Sequence, residues 1–224
     1  MMTNLFSIFD PSTNIMSLSL NWLSTTFFIF FIPLNFWLTP NSIYTLYNLI
    51  SKTLFKEFKI LKNTTALNGN SLIFISLFFF IFFNNFLGLM PYIFTATTHM
   101  ALTLTLSLTI WLSLMLFGWI NNYTHMMAHL IPLGTPLILT WFMVIIETVS
   151  NLIRPLTLAI RLMTNMLTGH LLLTLMNSMN SKLSYTLVIM ILITQILLLT
   201  LEMSVAIIQA YVFFILATLY STEI

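Results

Sequence analysis

Cysteine is absent from this chain, which excludes disulfides, thiolate metal sites and cysteine nucleophiles. Charge is nearly as scarce. Only 5% of the 224 residues are Asp, Glu, Lys or Arg, against about 25% in an average soluble domain. Seven basic and five acidic side chains cannot give a chain of this length a water-soluble surface, and 59% of it is hydrophobic. What remains is a chain solvated mainly by lipid. The net charge of +2 is too small and too locally clustered to draw nucleic acid as a partner. The opening stretch MMTNLFSIFDPSTN has no basic residue ahead of its apolar run. It therefore lacks the form of a secretory signal or an Arg-rich transit peptide, and the expectation is synthesis inside an organelle. Glycine is rare, at 5 residues, while Leu, Ile, Phe, Asn and Met abound. That balance fits AT-biased coding and hints at a mitochondrial genome.

A bilayer core of about 30 Å needs about 20 apolar residues in a helix. Three ordinary spans are readable, over Leu18–Trp37 (interrupted by Pro33), Leu72–Met90 and Met100–Ile120. Gly88 and Pro91 end the second, and Pro91–Thr98 reads as a tight turn. Two further runs, Leu137–Asn177 and Tyr185–Tyr220, would reach about 60 Å and 54 Å as helices. Both exceed the membrane core, and a steep tilt is the natural accommodation. The expectation is a helical hairpin lying obliquely, with its turn at Asn177–Ser184. The alternative, that each run is two short elements hidden by monotone composition, stays open. Between the first two spans, Lys52, Lys56, Lys59 and Lys62 fall on one helical face and Leu54, Phe58 and Leu61 on the other. That pattern predicts an interfacial amphipathic helix over residues 43–63. The only other lysine is Lys182, so the positive-inside rule puts this helix on the matrix side. The N-terminus then lies in the intermembrane space and the C-terminus in the matrix. An ordinary solvated loop bearing the same lysines gives the same topology. The fold expected is all-α: one polytopic membrane domain over residues 1–224, with three roughly upright spans, one interfacial helix and a long tilted C-terminal hairpin.

Glu147, Arg154, Arg161, His170 and Glu202 interrupt the two long apolar runs. A charge at the bilayer centre costs about 2.5–3.5 kcal/mol on insertion scales, so such residues tend to be functional. The competing reading is mutual pairing or snorkelling to an interface; it is strongest for Arg154, beside Pro155 and near the matrix end. Arg161, between Ile160 and Leu162, has no local counter-charge. Residues seven apart return to nearly the same helical face. Glu147, Arg154 and Arg161 therefore form one stripe, which Asn165 extends, while His170 points to the opposite side. Glu147 lies about 21 Å before Arg161 along the axis and His170 about 14 Å after it. Glu202 and Gln209 share a face of the last helix. Carboxylates and imidazoles exchange protons readily, and arginine does not release its own. The arrangement suits two offset proton half-channels separated by a fixed cation.

The stretch AIRLMTNMLTGHLL (Ala159–Leu172) resembles the signature of subunit a, the proton-channel subunit of mitochondrial-type F-type ATP synthases. VIIETVSNLIRPLTLAIRL, LEMSVAIIQAYVFFILATLY, NNFLGLMPYIFT and AHLIPLGTP are similar to that family too, and in the same order, over essentially the whole chain. The resemblance implies that Arg161 is the essential arginine facing a ring of c subunits. It implies that His170 and Glu202 line the intermembrane-space half-channel, and that Glu147 and the C-terminal acid Glu223 line the matrix one. Asn165 and Gln209 match supporting polar positions; Arg154 stays outside the essential set. Bacterial members exchange acid and basic partners at the His170 and Glu202 positions, as a coupled pair would. The partners implied are the c-ring, peripheral stalk subunit b and small F0 membrane subunits, in the mitochondrial inner membrane, with no cofactor. The chain itself would make no bond to ATP.

Two rivals remain on the residues alone. A self-contained transporter would need a substrate site within its own bundle, often at broken helices; these runs are unbroken apart from Pro155. A haem- or quinone-binding subunit would need facing histidines within spans. His125 and His129 have the four-residue spacing of a metal pair, yet they follow Asn121–Asn122 in a polar connection and read as loop histidines. Asn85, Gly88 and Pro91 read as a turn-shaping cluster.

Overall fold

The computed structural model describes residues 5–13, 18–34, 38–62, 68–131, 136–179 and 185–222. Six α-helices carry the described chain: α1 (Ser42–Lys62), α2 (Asn68–Gly88), α3 (Met100–Asn121), α4 (Tyr123–His129), α5 (Thr140–Met179) and α6 (Tyr185–Thr222). Four of them are long and apolar enough to cross a membrane: α2, α3, α5 and α6. The chain is an all-α polytopic membrane protein. No strand occurs among the described residues, as the hydrocarbon requires: a spanning segment must satisfy its own backbone, and a helix does so alone.

Within the apolar run around Leu18–Trp37, the regular part is a twelve-residue 3-10 helix, Leu20–Phe31. Its end has a local cause. Pro33 offers no N–H and crowds the residue before it, and Ile32 is accordingly extended, at φ −75° and ψ 114°. Side-chain contacts tie this segment to the loop after α2: the Ser24 hydroxyl donates to the Phe94 carbonyl at 3.1 Å, and the Trp22 ring meets both Phe94 and His99.

α1 is amphipathic as its lysine spacing predicts. Leu54 and Phe58 are buried, while Lys52, Lys56 and Lys59 are exposed. The buried side joins the core, where α1, α2 and α6 meet around Phe74, Phe78, Phe213 and Phe214, with Leu158 and Leu162 of α5 beneath. Phe78 meets Phe214 edge-on at 6.4 Å, and Tyr47 stacks on Phe79 at 4.4 Å. Apolar burial between helices gains little where lipid tails are equally apolar, so van der Waals fit and close approach carry the association. Small residues at the seams meet that need: Ala159, Ala206, Ala210 and Ala217 are all buried.

α2 ends at Gly88, where a Cβ would come within 3.1 Å of Thr95 Cγ2. The turn that follows holds Tyr92 at φ 69°, in the left-handed region that non-glycine residues rarely occupy. Asn85 lies inside α2, fully buried, rather than in the turn its neighbourhood suggested.

α5 and α6 form the long hairpin. Their 40 and 38 residues correspond to about 60 Å and 57 Å, far beyond a hydrocarbon core of about 30 Å. Each is one continuous helix, so neither run is two hidden elements, even with Pro155 inside α5. The connection at residues 180–184, which includes most of the expected turn, lies outside the described residues. His125 and His129 sit on the short helix α4, both exposed, with ring centroids 6.5 Å apart.

Candidate functional site

The face that α5 packs against its neighbours is made by Pro155, Leu158, Ala159, Leu162, Met166 and Gly169, all buried. The polar stripe runs along one margin of that face. Glu147, Arg154 and Asn165 are half-buried there, and Arg161, a step further round, is exposed. His170 occupies the opposite margin and is half-buried. Fixed helical pitch sets these relative directions; packing against α3 and α6 decides which of them open outward.

Arg161 makes no ion pair among the described residues. Its neighbour one turn on, Asn165, donates from Nδ2 to Gln209 Oε1 of α6 at 3.0 Å. The guanidinium thus stands on an open surface beside a hydrogen bond that joins the two arms of the hairpin. Arg154, by contrast, has partners. Its Nη2 lies 3.8 Å from Glu147 Oε1, and its guanidinium lies over the Tyr220 ring at 5.6 Å from the centroid. The pairing reading raised for Arg154 is the one the structure contains.

Glu202 is buried, at 6% exposure, and neither carboxylate oxygen has a hydrogen-bond partner among the described residues. It faces a cleft of about 160 Å³ together with Asn165, Thr168 and Gly169. An uncompensated polar group in an apolar surround is costly.

His170 opens onto a different and larger cavity, of about 630 Å³, whose wall includes Asn21, Thr95, Thr174 and Asn177. His170 Nε2 also lacks a hydrogen-bond partner among the described residues. No ion pair joins His170 to Glu202 among the described residues, and the two line separate spaces. Beside the cavity, Asn21 donates to the carbonyl of Asp10 at 3.3 Å. The Ser12 N–H donates to the Asp10 carboxylate at 3.0 Å and holds that carboxyl below the usual carboxylate range.

One element of the site escaped the sequence reading. A Cβ built on Gly169 would stand 2.7 Å from Glu202 Oε1 and 2.8 Å from its Cδ. The carboxyl reaches its place only because residue 169 has no side chain. A glycine in a helix interior, where it is disfavoured by roughly 1 kcal/mol, was the available signal. Glu57 was missed as well; it accepts a hydrogen bond from the Tyr211 hydroxyl at 3.2 Å and links α1 to α6. No group of three or more potential ligands that could hold a metal occurs among the described residues. Glu223 lies outside the described residues.

A model of the ATP synthase A chain family matches residues 15–222. The chain belongs to that family. It is 59% identical over 225 residues to ATP synthase subunit a of Anopheles gambiae, and 59% identical to that of Aedes aegypti, each match covering the whole of both chains. The protein of the same name from Drosophila melanogaster is 57% identical over 224 residues, again at full length.

Proposed function

We propose that this chain is the proton-translocating stator subunit of the F0 sector of a mitochondrial ATP synthase, working with a ring of c subunits in the inner membrane. The observation that carries the reading is Arg161: a permanent cation midway along a membrane helix, exposed and without an ion pair among the described residues of its own chain. Ionisable groups inside a membrane are almost always held against a partner or a water-filled space, and no described residue of this chain forms an ion pair with Arg161. A rotor carrying a carboxylate supplies the matching charge. Arg161 favours the ionised form of that carboxylate by opposite charge, and because it does not release its proton it blocks a direct path between the two sides.

Protons enter from the intermembrane space through the cavity that His170 opens on and pass to Glu202. Glu202 hands a proton to a ring carboxylate, which, once neutral, can face lipid. After nearly a full turn the carboxyl releases its proton on the matrix side near Glu147, with Glu223 close to that exit. Asn165 and Gln209 hold the hairpin closed beside the arginine. Each proton crossing 100 mV contributes about 2.3 kcal/mol, which rotation carries to the catalytic sectors. Peripheral stalk subunit b and small F0 subunits hold the chain against that torque. The lysine-bearing helix α1 lies along the matrix surface, with the N-terminus in the intermembrane space and the C-terminus in the matrix.

The test is Arg161→Ala in the assembled complex. ATP-driven proton pumping is expected to vanish while ATP hydrolysis stays measurable. Pumping at the wild-type rate would remove the barrier role. A crosslink between position 161 and the ring carboxylate's neighbourhood checks the geometry directly.

A further inference from the structure

A third cleft lies away from His170 and Glu202, where the end of α3, the short helix α4, the start of α5 and the end of α6 converge; its wall is mainly apolar, with a few polar groups set into it. Its volume is about 160 Å³, and Trp111, Trp119, His129, Thr148, Asn151 and Tyr220 are in its wall. Two buried polar atoms of that wall have no hydrogen-bond partner among the described residues: the donor Trp111 Nε1 and the acceptor Asn151 Oδ1. A third group belongs with them. Pro155 has no N–H, so the backbone carbonyl of Asn151, four residues earlier, receives no helical hydrogen bond from it. Asn151 therefore carries a second acceptor, on its backbone, besides its unpaired side-chain oxygen. Inside a membrane, helix carbonyls freed by proline are commonly satisfied by ordered water.

The position of Asn151 gives the cleft a purpose. Glu147 precedes it by four residues and Arg154 follows it by three, so both are its neighbours on the helix surface. Tyr220, also in the wall, carries the Arg154 guanidinium over its ring at 5.6 Å. Neither Glu147 nor Arg154 lines the cleft itself, but Asn151, about one helical turn from each, and Tyr220, beneath the Arg154 guanidinium, both do, whereas Arg161 is exposed.

We propose that this cleft holds a water cluster that connects Glu147 to the matrix from behind α5. At about 30 Å³ per molecule, its volume suits about five waters. Trp111 donates to the cluster and Asn151 accepts from it. A proton released from the ring protonates the Glu147 carboxylate and passes into the waters, and an equivalent proton leaves to the matrix. Asn151 and Trp111 are positioning residues that neither gain nor lose a proton. The inference rests on the matrix half-channel role of Glu147 proposed above.

The experiment uses assembled ATP synthase in inverted inner-membrane vesicles. Asn151→Leu and Trp111→Phe are each expected to slow ATP-driven proton pumping about fivefold, the kinetic equivalent of losing one hydrogen bond. Asn151→Ser, which keeps a water-binding hydroxyl, is expected to pump near the wild-type rate. Because the chain has no cysteine, Asn151→Cys places a single thiol in it. A membrane-impermeant thiol reagent added from the matrix side is expected to label that thiol and not Leu112→Cys, one residue from Trp111 on an exposed face of α3. Failure of the Asn151→Cys variant to take the label would mean that lipid or another subunit fills the cleft. That result would overturn the proposal, as would wild-type pumping by both Asn151→Leu and Trp111→Phe. If Asn151→Leu fails to assemble, the labelling and Trp111→Phe decide. Glu147→Gln separates the two levels: normal pumping there sinks the matrix half-channel reading itself, whereas slowed pumping there with normal Asn151 and Trp111 variants sinks only the water route.

Discussion

Gly169→Ala adds one methyl group to the hairpin and tests the site's geometry without removing any polar atom. The new Cβ would stand 2.7 Å from Glu202 Oε1, 2.8 Å from Cδ and 3.0 Å from Cγ. Ordinary contact begins at 3.4 Å, so the carboxyl must withdraw by about 0.7 Å (3.4 − 2.7) or turn out of the cleft it shares with Asn165 and Thr168. Displacements near 1 Å in a proton-handling group can cost about a hundredfold in rate, and a shift of this size is expected to slow proton entry by about tenfold or more. Helix stability moves the other way. Alanine is better than glycine in a helix interior by roughly 1 kcal/mol, so weakened local folding does not account for a loss. The assay is the initial rate of ATP-driven acidification in inverted vesicles, set against the amount of assembled complex on a native gel. Pairing Gly169→Ala with Glu202→Asp withdraws the acid by one methylene, about 1.5 Å, and is expected to recover part of the loss. Gly169→Ala pumping at the wild-type rate, with the complex fully assembled, would refute the claim that this glycine seats the carboxyl.

Glu202→Gln keeps the shape and removes the exchangeable proton; proton flux in both directions is expected to fall about a hundredfold, the lower range for loss of a general acid–base group, and unchanged flux would exclude Glu202 from the path. Gln209→Leu leaves Asn165 without its partner across the hairpin. Interhelical hydrogen bonds in membranes average about 0.6 kcal/mol, so the complex should still assemble while pumping weakens, and a double-mutant cycle with Asn165→Leu should show coupling of that order. Additive effects would mean the 3.0 Å bond contributes nothing to function.

Much of the site was legible before any packing was known, because helix geometry is nearly invariant. Glu147, Arg154 and Arg161 at intervals of seven had to share a stripe, and His170 had to leave it by half a turn. The amphipathic face of α1 followed from its lysines in the same way. The end of the first apolar segment was less legible. Pro33 announced an interruption, but twelve residues in 3-10 geometry lie outside what hydropathy can tell, since it registers apolar length and not hydrogen-bond pattern. The Glu147–Arg154 contact was one of two open readings, and only the rotamers chosen by neighbouring helices selected it.

Sequence alone determined that the chain lives in lipid, that its charges fall in a few membrane positions, and how those positions are spaced along and around each helix. These are properties of composition and of a backbone repeat that no neighbour alters. Tertiary structure decided which side of α5 would be covered, leaving Arg161 open and Glu202 enclosed. It also decided that Asn165 would meet Gln209, 44 residues away, and that Gly169 would lie against an acid of the opposite arm. The reason is physical: in a bilayer apolar faces have little preference for one another over lipid, so periodicity cannot tell a packed face from an open one. Close-fitting contacts between particular side chains settle it.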